Sequence, residues 1–442
     1  MQSFRMNGRV QAQEAEERSR HEFRSHRWLL MLAVVLFLSM PKTTQGQEAL
    51  RQSLAGESAA KAQKDAAAST GYYNLLLGDT SLRFSSGLGA QYNDNIHLQN
   101  HGAQEDFIFT PNLNMQVHRP LTENNSLDVS LGVGYSAYAS HSDLDQFYIT
   151  PGSGLFFNIF IGDFAINLHD RISITENGYQ NPAQNGNGNN AALNNAVGTS
   201  VTWDLNQVVL TMVYDHVNYV SLNSSSQSAP DSASDNLSLS AGVRIRPEIT
   251  VGVEGGGSQI TYDQSNVNTT PNSRQWSVGA FSRLQISEYL NVQLDAGYSV
   301  LLPDNTSTNL STTDTSGLYF DLGISHRVTQ FLTYTLSAGR SQDLQSYGQP
   351  FTTLFVRLSP DWNFIKGYTF STPLWWLQGT QNFTQANTSN TYNQYGCGLN
   401  LGRQLTEKLS STFSYQFIQE TSDQADLNYI VNLISLNFSY QF

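Results

Sequence analysis

From Ser81 to the last residue, almost every segment of ten or more residues alternates apolar and polar side chains. A period of two belongs to a β-strand whose two faces meet different surroundings. In SLDVSLGVGYSAY, Leu127, Val129, Leu131, Val133, Tyr135 and Ala137 share one face, and Asp128, Ser130, Gly132 and Gly134 the other. In YLNVQLDAGYSV, Leu290, Val292, Leu294, Ala296 and Tyr298 stand against Asn291, Gln293, Asp295 and Gly297. At the C-terminus Ile430, Ile434, Leu436, Phe438, Tyr440 and Phe442 alternate with Asn437, Ser439 and Gln441. A soluble sandwich would show the same alternation, so the connections have to decide.

Tight links occur at 120–125 (PLTENN), around Gly162 (FIGDF), and at 204–207, 246–248, 285–289, 327–331, 364–367 and 404–408. Longer polar stretches take turns with them, among them 175–191, 218–234, 262–273, 301–315 and 379–391. Short turns at one end and long loops at the other are the asymmetry of a membrane barrel with periplasmic turns and extracellular loops. Eight tight links join sixteen strands in pairs, and one further strand at each end makes 18. The expected fold is therefore all-β: a transmembrane, antiparallel, up-and-down β-barrel of about 18 strands. Sixteen is the alternative, because Pro360 and Pro373 weaken two strands in 350–379, where proline cannot donate to a ladder.

Composition agrees with one wall between lipid and water. Only 13% of the 442 residues are charged and 39% are hydrophobic, with Asn, Ser, Thr, Gln and Gly filling the difference. No stretch after the leader approaches the ~20 apolar residues of a spanning helix. Strands in a closed barrel are then the way to satisfy the backbone in lipid. The formal charge of −13, with no basic patch, argues against a nucleic-acid partner.

Residues 1–46 read as an N-terminal leader and signal peptide. WLLMLAVVLFLSM at 28–40 has the length of a signal h-region, follows Arg24, His26 and Arg27, and precedes small residues at Thr44 and Gly46 suited to cleavage. A retained anchor is the other reading. Residues 47–79 form a polar, Ala-rich lead on the periplasmic side, and 80–442 the barrel. Export of this kind places the chain in the outer membrane, with outer-membrane lipid as its surroundings.

With the apolar parity taken as lipid-facing, the inward set is Arg83, His118, Asp128, His169, Arg171, Asp215, Arg244, Arg246, Glu254, Arg283, Asp295, Asp321, Arg357 and Asp361. Charges belong there because a lipid-facing Lys or Arg at mid-bilayer costs about 2–4 kcal/mol. Asp170 breaks the rule, sharing parity with Leu168 and Ile172, so that either a bulge shifts the register or the position lies at the membrane's edge. Six arginines and six carboxylates inside predict paired charges and no strong ion preference. Trp203, Tyr214, Trp276, Tyr289, Tyr298, Phe331, Trp376, Tyr415 and Phe442 fit two interfacial girdles.

The segment GLGAQYNDNIHL at 87–98, with 108–138 after it and LSAGRS at 336–341 more loosely, resembles outer-membrane β-barrel porins often encoded beside exopolysaccharide-synthesis genes. The motif that carries the resemblance is Tyr92, Asn93, Asp94, Asn95 and Ile96. The resemblance implies passage of a surface polysaccharide. Tyr440 and Phe442 resemble the terminal signal read by the barrel-assembly machinery, an expected partner.

Two functional classes stay open: a channel for small solutes or a surface polysaccharide, and a plugged barrel acting as scaffold or surface receptor. No long loop shows a pattern built to fold inward, which favours the channel. Catalysis is not expected. The neighbours in His169–Asp170 and Asp215–His216 point to opposite faces, and the GGG run at 255–257 marks a bulge or a close approach. The histidine spacing and the lone Cys397 match no metal or cofactor pattern, and Cys397 reads as a small residue facing lipid.

Overall fold

The computed structural model describes residues 73–176, 191–222, 230–263, 272–304, 315–344, 350–383 and 388–442. The leader and most of the lead lie outside the described residues. The strands are β1 (Leu75–Leu77), β2 (Thr80–Asn93), β3 (Asp106–Pro120), β4 (Ser126–Tyr138) and β5 (Gln146–Ile161). They continue with β6 (Phe164–Glu176), β7 (Ala191–Asp204), β8 (Val208–Ser221), β9 (Ser232–Arg246) and β10 (Ile249–Tyr262). Next come β11 (Ser273–Ser287), β12 (Leu290–Pro303), β13 (Thr315–Arg327), β14 (Leu332–Leu344) and β15 (Pro350–Ile365). The last are β16 (Tyr368–Ser371), β17 (Leu374–Phe383), β18 (Thr388–Gln404), β19 (Leu409–Ser422) and β20 (Tyr429–Gln441).

Successive strands pair antiparallel, and β20 returns to β2 with Ser85 opposite Gln441 and Asn93 opposite Leu433, which closes the sheet. Strands β16 and β17 both lie between β15 and β18, so they are two halves of one stave broken at Thr372 and Pro373. The break faces Pro360 of β15, whose carbonyl accepts the Thr372 N–H at 3.3 Å. Two prolines side by side remove ladder donors from both strands, and pairing lapses there. The 20 strands less β1, with β16 and β17 counted once, give 18 staves.

All eight tight links connect staves at one end, here the turn end. Three of them use left-handed backbone, Gly162 at φ +57°, Asn206 at φ +70° and Gly367 at φ +81°, conformations that Gly and Asn adopt at least cost. Asp204 Oδ1 accepts the Asn206 N–H at 2.9 Å and steadies that turn. At the loop end several strands run further than alternation alone indicates. Residues 218–221 and 232–234 belong to β8 and β9, although the apolar face thins there to Val220 and Ala233. Stave ends that stand in water on both sides lose the apolar half of the pattern.

The three residues of β1, inside the segment read as lead, pair with Thr80–Leu82 on the edge of β2 that β20 occupies further along. Asn74 donates to the Phe442 backbone oxygen and accepts from the Phe84 N–H, which ties the seam at the turn end.

Apolar and polar residues are inverted relative to a soluble protein. Val253 and Ile286 are 61% and 62% exposed on the outer wall, while Asp215, Asn236 and Glu420 are 1% exposed on the inner one. The girdle residues Trp203, Tyr214, Trp276, Tyr298, Trp376 and Tyr415 sit at outward register positions, and Tyr289, Phe331 and Phe442, just outside the strands, are about half exposed. A continuous apolar belt of this extent is unstable against water and is the surface a bilayer covers.

Candidate lumen site

The strand register puts Arg83, His118, Asp128, His169, Arg171, Asp215, Arg244, Glu254, Arg283, Asp295, Asp321, Arg357 and Asp361 at inner-face positions, whereas a bulge at the end of β9 sets Arg246 opposite Ile249 of the outer face, against the inward expectation. Several form ion pairs along the inner wall, His118–Asp128 and Arg283–Asp295 between neighbouring staves and Arg244–Asp204 from β9 to β7. His118 Nδ1 lies 2.5 Å from Asp128 Oδ1. Arg283 grips Asp295 with two contacts, Nη2–Oδ1 at 2.8 Å and Nη1–Oδ2 at 3.0 Å. Arg244 holds Asp204 in the same two-pronged way, at 2.8 Å for each contact. Fixed, paired charges make a polar wall with little net field.

One group reaches across a whole strand. His169 and Arg171 of β6 meet Asp215 of β8, with His169 Nε2 at 2.6 Å and Arg171 Nη2 at 2.9 Å from the same Asp215 Oδ1. Strand β7 lies between them, and the residue opposite both His169 and Asp215 is Gly198. A Cβ at 198 would overlap Asp215 Oδ1 and the Tyr214 carbonyl oxygen, so glycine there opens the path for the ion pair. His169 Nδ1 also faces Asn167 Oδ1 at 2.9 Å, so both ring nitrogens are engaged and neither is presented to a substrate.

Glycine gaps recur wherever a ring lies along the wall. Tyr319 of β13 crosses Gly297 and Gly279 to donate to Glu254 Oε1 at 2.8 Å. Phe281 of β11 lies over Gly252 and Gly242, Tyr148 over Gly134, and Tyr392 over Gly379. Aromatic cover of a cross-strand glycine packs the ring flat and keeps it out of the lumen.

The two ends of the lumen differ. Inner residues of the loop-end half, including Ser299, Leu301, Tyr392, Glu420 and Val431, are buried. Those of the turn-end half, such as His118, Gln293, Arg283 and Arg357, are half-buried or exposed. Lumen-facing side chains are buried only where something covers them. Part of the cover is residues 94–105, which fold inward: Leu98 packs on Ile418, Tyr429, Val431 and Leu433 of the inner wall, with Trp375 beside them. This segment is not among the long polar stretches, none of which shows an inward-folding pattern, and the sequence did not single it out as one that folds inward. Ile96 and Leu98 are only two apolar residues in a polar stretch, too few to register as a pattern.

The motif Tyr92 to Ile96 builds the latch for this segment. Asn95, 2% exposed, donates through Nδ2 to the carbonyls of Gln99 at 2.8 Å and Ile430 at 3.1 Å, and its Oδ1 accepts the Gln99 N–H at 2.9 Å. Asn93 Oδ1 accepts the Asn95 N–H at 2.9 Å. Asp94 crosses the closing seam and accepts from the Asn432 backbone N–H at 2.7 Å and from its side chain at 2.6 Å. Tyr92 points outward and donates to Glu105. Leu98 itself sits at φ +53°, a left-handed conformation that a leucine holds only when its surroundings impose it. Beneath it, the Tyr429 hydroxyl donates to Glu420 at 3.0 Å, and Gln394 contacts both.

Asp170 faces outward in regular register with Leu155 and Val197, so the bulge in β5 at 149–153 does not turn it inward. It accepts from Asn195 Nδ2 at 2.6 Å. His216, Asp235 and Arg274 are also outward, so the rule that strand charges point inward fails at the loop end. This polar row lies beyond the outward aromatics Tyr214 and Trp276, the edge reading of Asp170. Cys397 is a free thiol between outward Tyr395 and Leu399. Among the described residues no group of three or more His, Cys, Asp and Glu could hold a metal ion.

No family model matches the chain, and no curated protein matches it in sequence. It is similar to solved structures. These include Pseudomonas aeruginosa OccK2 (OpdF) in complex with glucuronate, at 10% identity and a TM-score of 0.49, covering 83% of this chain and 99% of that one. Pseudomonas aeruginosa OccK5 (OpdH) shows 11% identity and a TM-score of 0.47 over 83% and 98% of the two chains. The outer membrane protein opdK of the same organism shows 10% and 0.45, over 82% and 98%. The closure and stave number of the present barrel rest on its own strand register.

Proposed function

We propose that the chain is an outer-membrane channel whose polar lumen is wide at the periplasmic turn end and narrowed at the outer mouth by residues 94–105. The observation that carries this reading is the asymmetry of the inner wall, accessible below and covered above. A backbone cylinder of 18 tilted staves is about 35 Å across, given strand spacings near 4.8 Å and tilts near 40°. Lining side chains alone leave an aqueous passage at that width. The paired charges of the wall fit passage of small polar solutes with weak charge preference. Passage of a surface polysaccharide belongs to the proposal and is supported by the resemblance at 87–98. Tyr440 and Phe442, whose rings meet edge to face at 5.3 Å on the outer wall, are the residues we assign to the assembly machinery.

The inward segment also favours a second reading, a plugged scaffold. Planar-bilayer recording of the mature chain, Gln47 to Phe442, separates the two. Stepwise ionic current from folded protein, absent from an empty bilayer, is the channel outcome. Sustained silence from protein that shows a barrel's heat-modifiable gel mobility is the plugged outcome.

A further inference from the structure

Near the turn end the inner wall holds a cavity of about 340 Å³, at the small end of the ~300–1,000 Å³ typical of ligand pockets. Its floor is the ring of Phe281. That ring crosses from β11 over Gly252 of β10, its register partner, to Gly242 of β9. A side chain at either glycine would lift it: a Cβ at 252 would stand 2.5 Å from the ring and one at 242 would stand 3.1 Å away. Two adjacent strands thus give up their side chains to seat one ring flat, and the ring is only half-buried. The rim carries the hydroxyls of Thr211, Ser240 and Thr250 and the charged groups of Arg244, Arg283 and Glu254.

The charges of this rim are already balanced. Arg244 is bound to Asp204 and Arg283 to Asp295, each through two contacts, and Glu254 adds a carboxylate. An anion meets no uncompensated cation here, and a cation would have to compete with two guanidinium groups. What the site offers is an aromatic ring, with the Arg283 guanidinium over it at 5.2 Å from its centroid, edged by fixed hydrogen-bonding groups. A pyranose ring, with an apolar C–H face and hydroxyls at its perimeter, has that complementary form.

We propose that this recess is a subsite for a neutral sugar ring, stacked on Phe281 and hydrogen-bonded by the hydroxyl and guanidinium groups of its rim. The proposal rests on the channel reading and gives it a substrate class. Lying in the wide half of the lumen, below the covered region, the subsite is reached from the turn end.

The test is calorimetric titration of the detergent-folded mature chain with cellohexaose, beside single-channel recording of the same preparation. Binding by the native protein, weakened on the order of tenfold in Phe281→Leu and retained in Phe281→Trp, is the expected result. Leucine keeps apolar bulk while removing the ring, so a folded barrel is expected, and gel mobility checks it. Gly252→Val, which displaces the ring, should weaken binding as Phe281→Leu does. Absence of binding, equal binding by Phe281→Leu, or tighter binding of an oligogalacturonate of the same length overturns the proposal. Binding without current sinks the open channel and leaves the subsite. Current without binding does the reverse.

Discussion

Replacing Asn95 by alanine should unseat the inward segment while leaving the barrel intact. Its side chain supplies three hydrogen bonds, two to Gln99 and one to the Ile430 carbonyl. At ~1 kcal/mol each their loss weakens the seated state by about 3 kcal/mol, on the order of a hundredfold in its population ratio. Leu98 keeps its burial against Val431 and Leu433, worth about 2 kcal/mol, so the segment should exchange between seated and unseated forms and not leave outright. Amide hydrogen exchange reads this directly. The Ile96 N–H, bonded to the Gln104 carbonyl at 2.9 Å, and the Gln99 N–H should lose protection by about that factor, with β-ladder amides unchanged. Mean conductance should rise in parallel. Unchanged protection at both amides in a folded Asn95→Ala barrel would refute the latch.

Three further outcomes follow from the wall. Gly198→Ala drives a methyl into Asp215 Oδ1 and the Tyr214 carbonyl and should cost about 2–4 kcal/mol through overpacking and the strained His169–Asp215 pair, read as a lower urea midpoint. Asp170→Leu should change stability by less than about 0.5 kcal/mol if the outward polar row lies beyond the hydrocarbon, and a gain above ~2 kcal/mol would place it inside. Asp94→Ala and Asn432→Ala should be non-additive in unfolding free energy, by about 1 kcal/mol, because both remove the Asn432 Nδ2–Asp94 contact, while only Asp94→Ala also frees the Asn432 backbone N–H. Additivity would mean that the seam is held elsewhere.

The outer half of the structure was legible because lipid enforces a strict rule: Leu127 to Ala137 and Ile434 to Phe442 must be apolar at every second position. The tight turns were legible through Gly162 and the short polar links. What failed to show depends on register or on isolated residues. His169 and Asp215 are 46 residues apart and meet only because β7 sets Gly198 between them, which no local pattern announces. The seats of Phe281 and Tyr319 likewise need glycines on other strands. Residues 218–221 pair as strand although Asn218 interrupts the apolar outer face, so alternation ended too early there. The motif at Tyr92 to Ile96 was visible as a motif, yet its work as a latch appears only when Asn432, more than 300 residues later, is brought beside Asp94.

The central claim is the asymmetric lumen, and size-graded neutral polymers tested by single-channel recording address it most directly. Polyethylene glycols added to the turn side should enter and depress current up to a larger molecular size than those added to the loop side, where residues 94–105 narrow the mouth. Equal cut-offs from both sides would contradict the account.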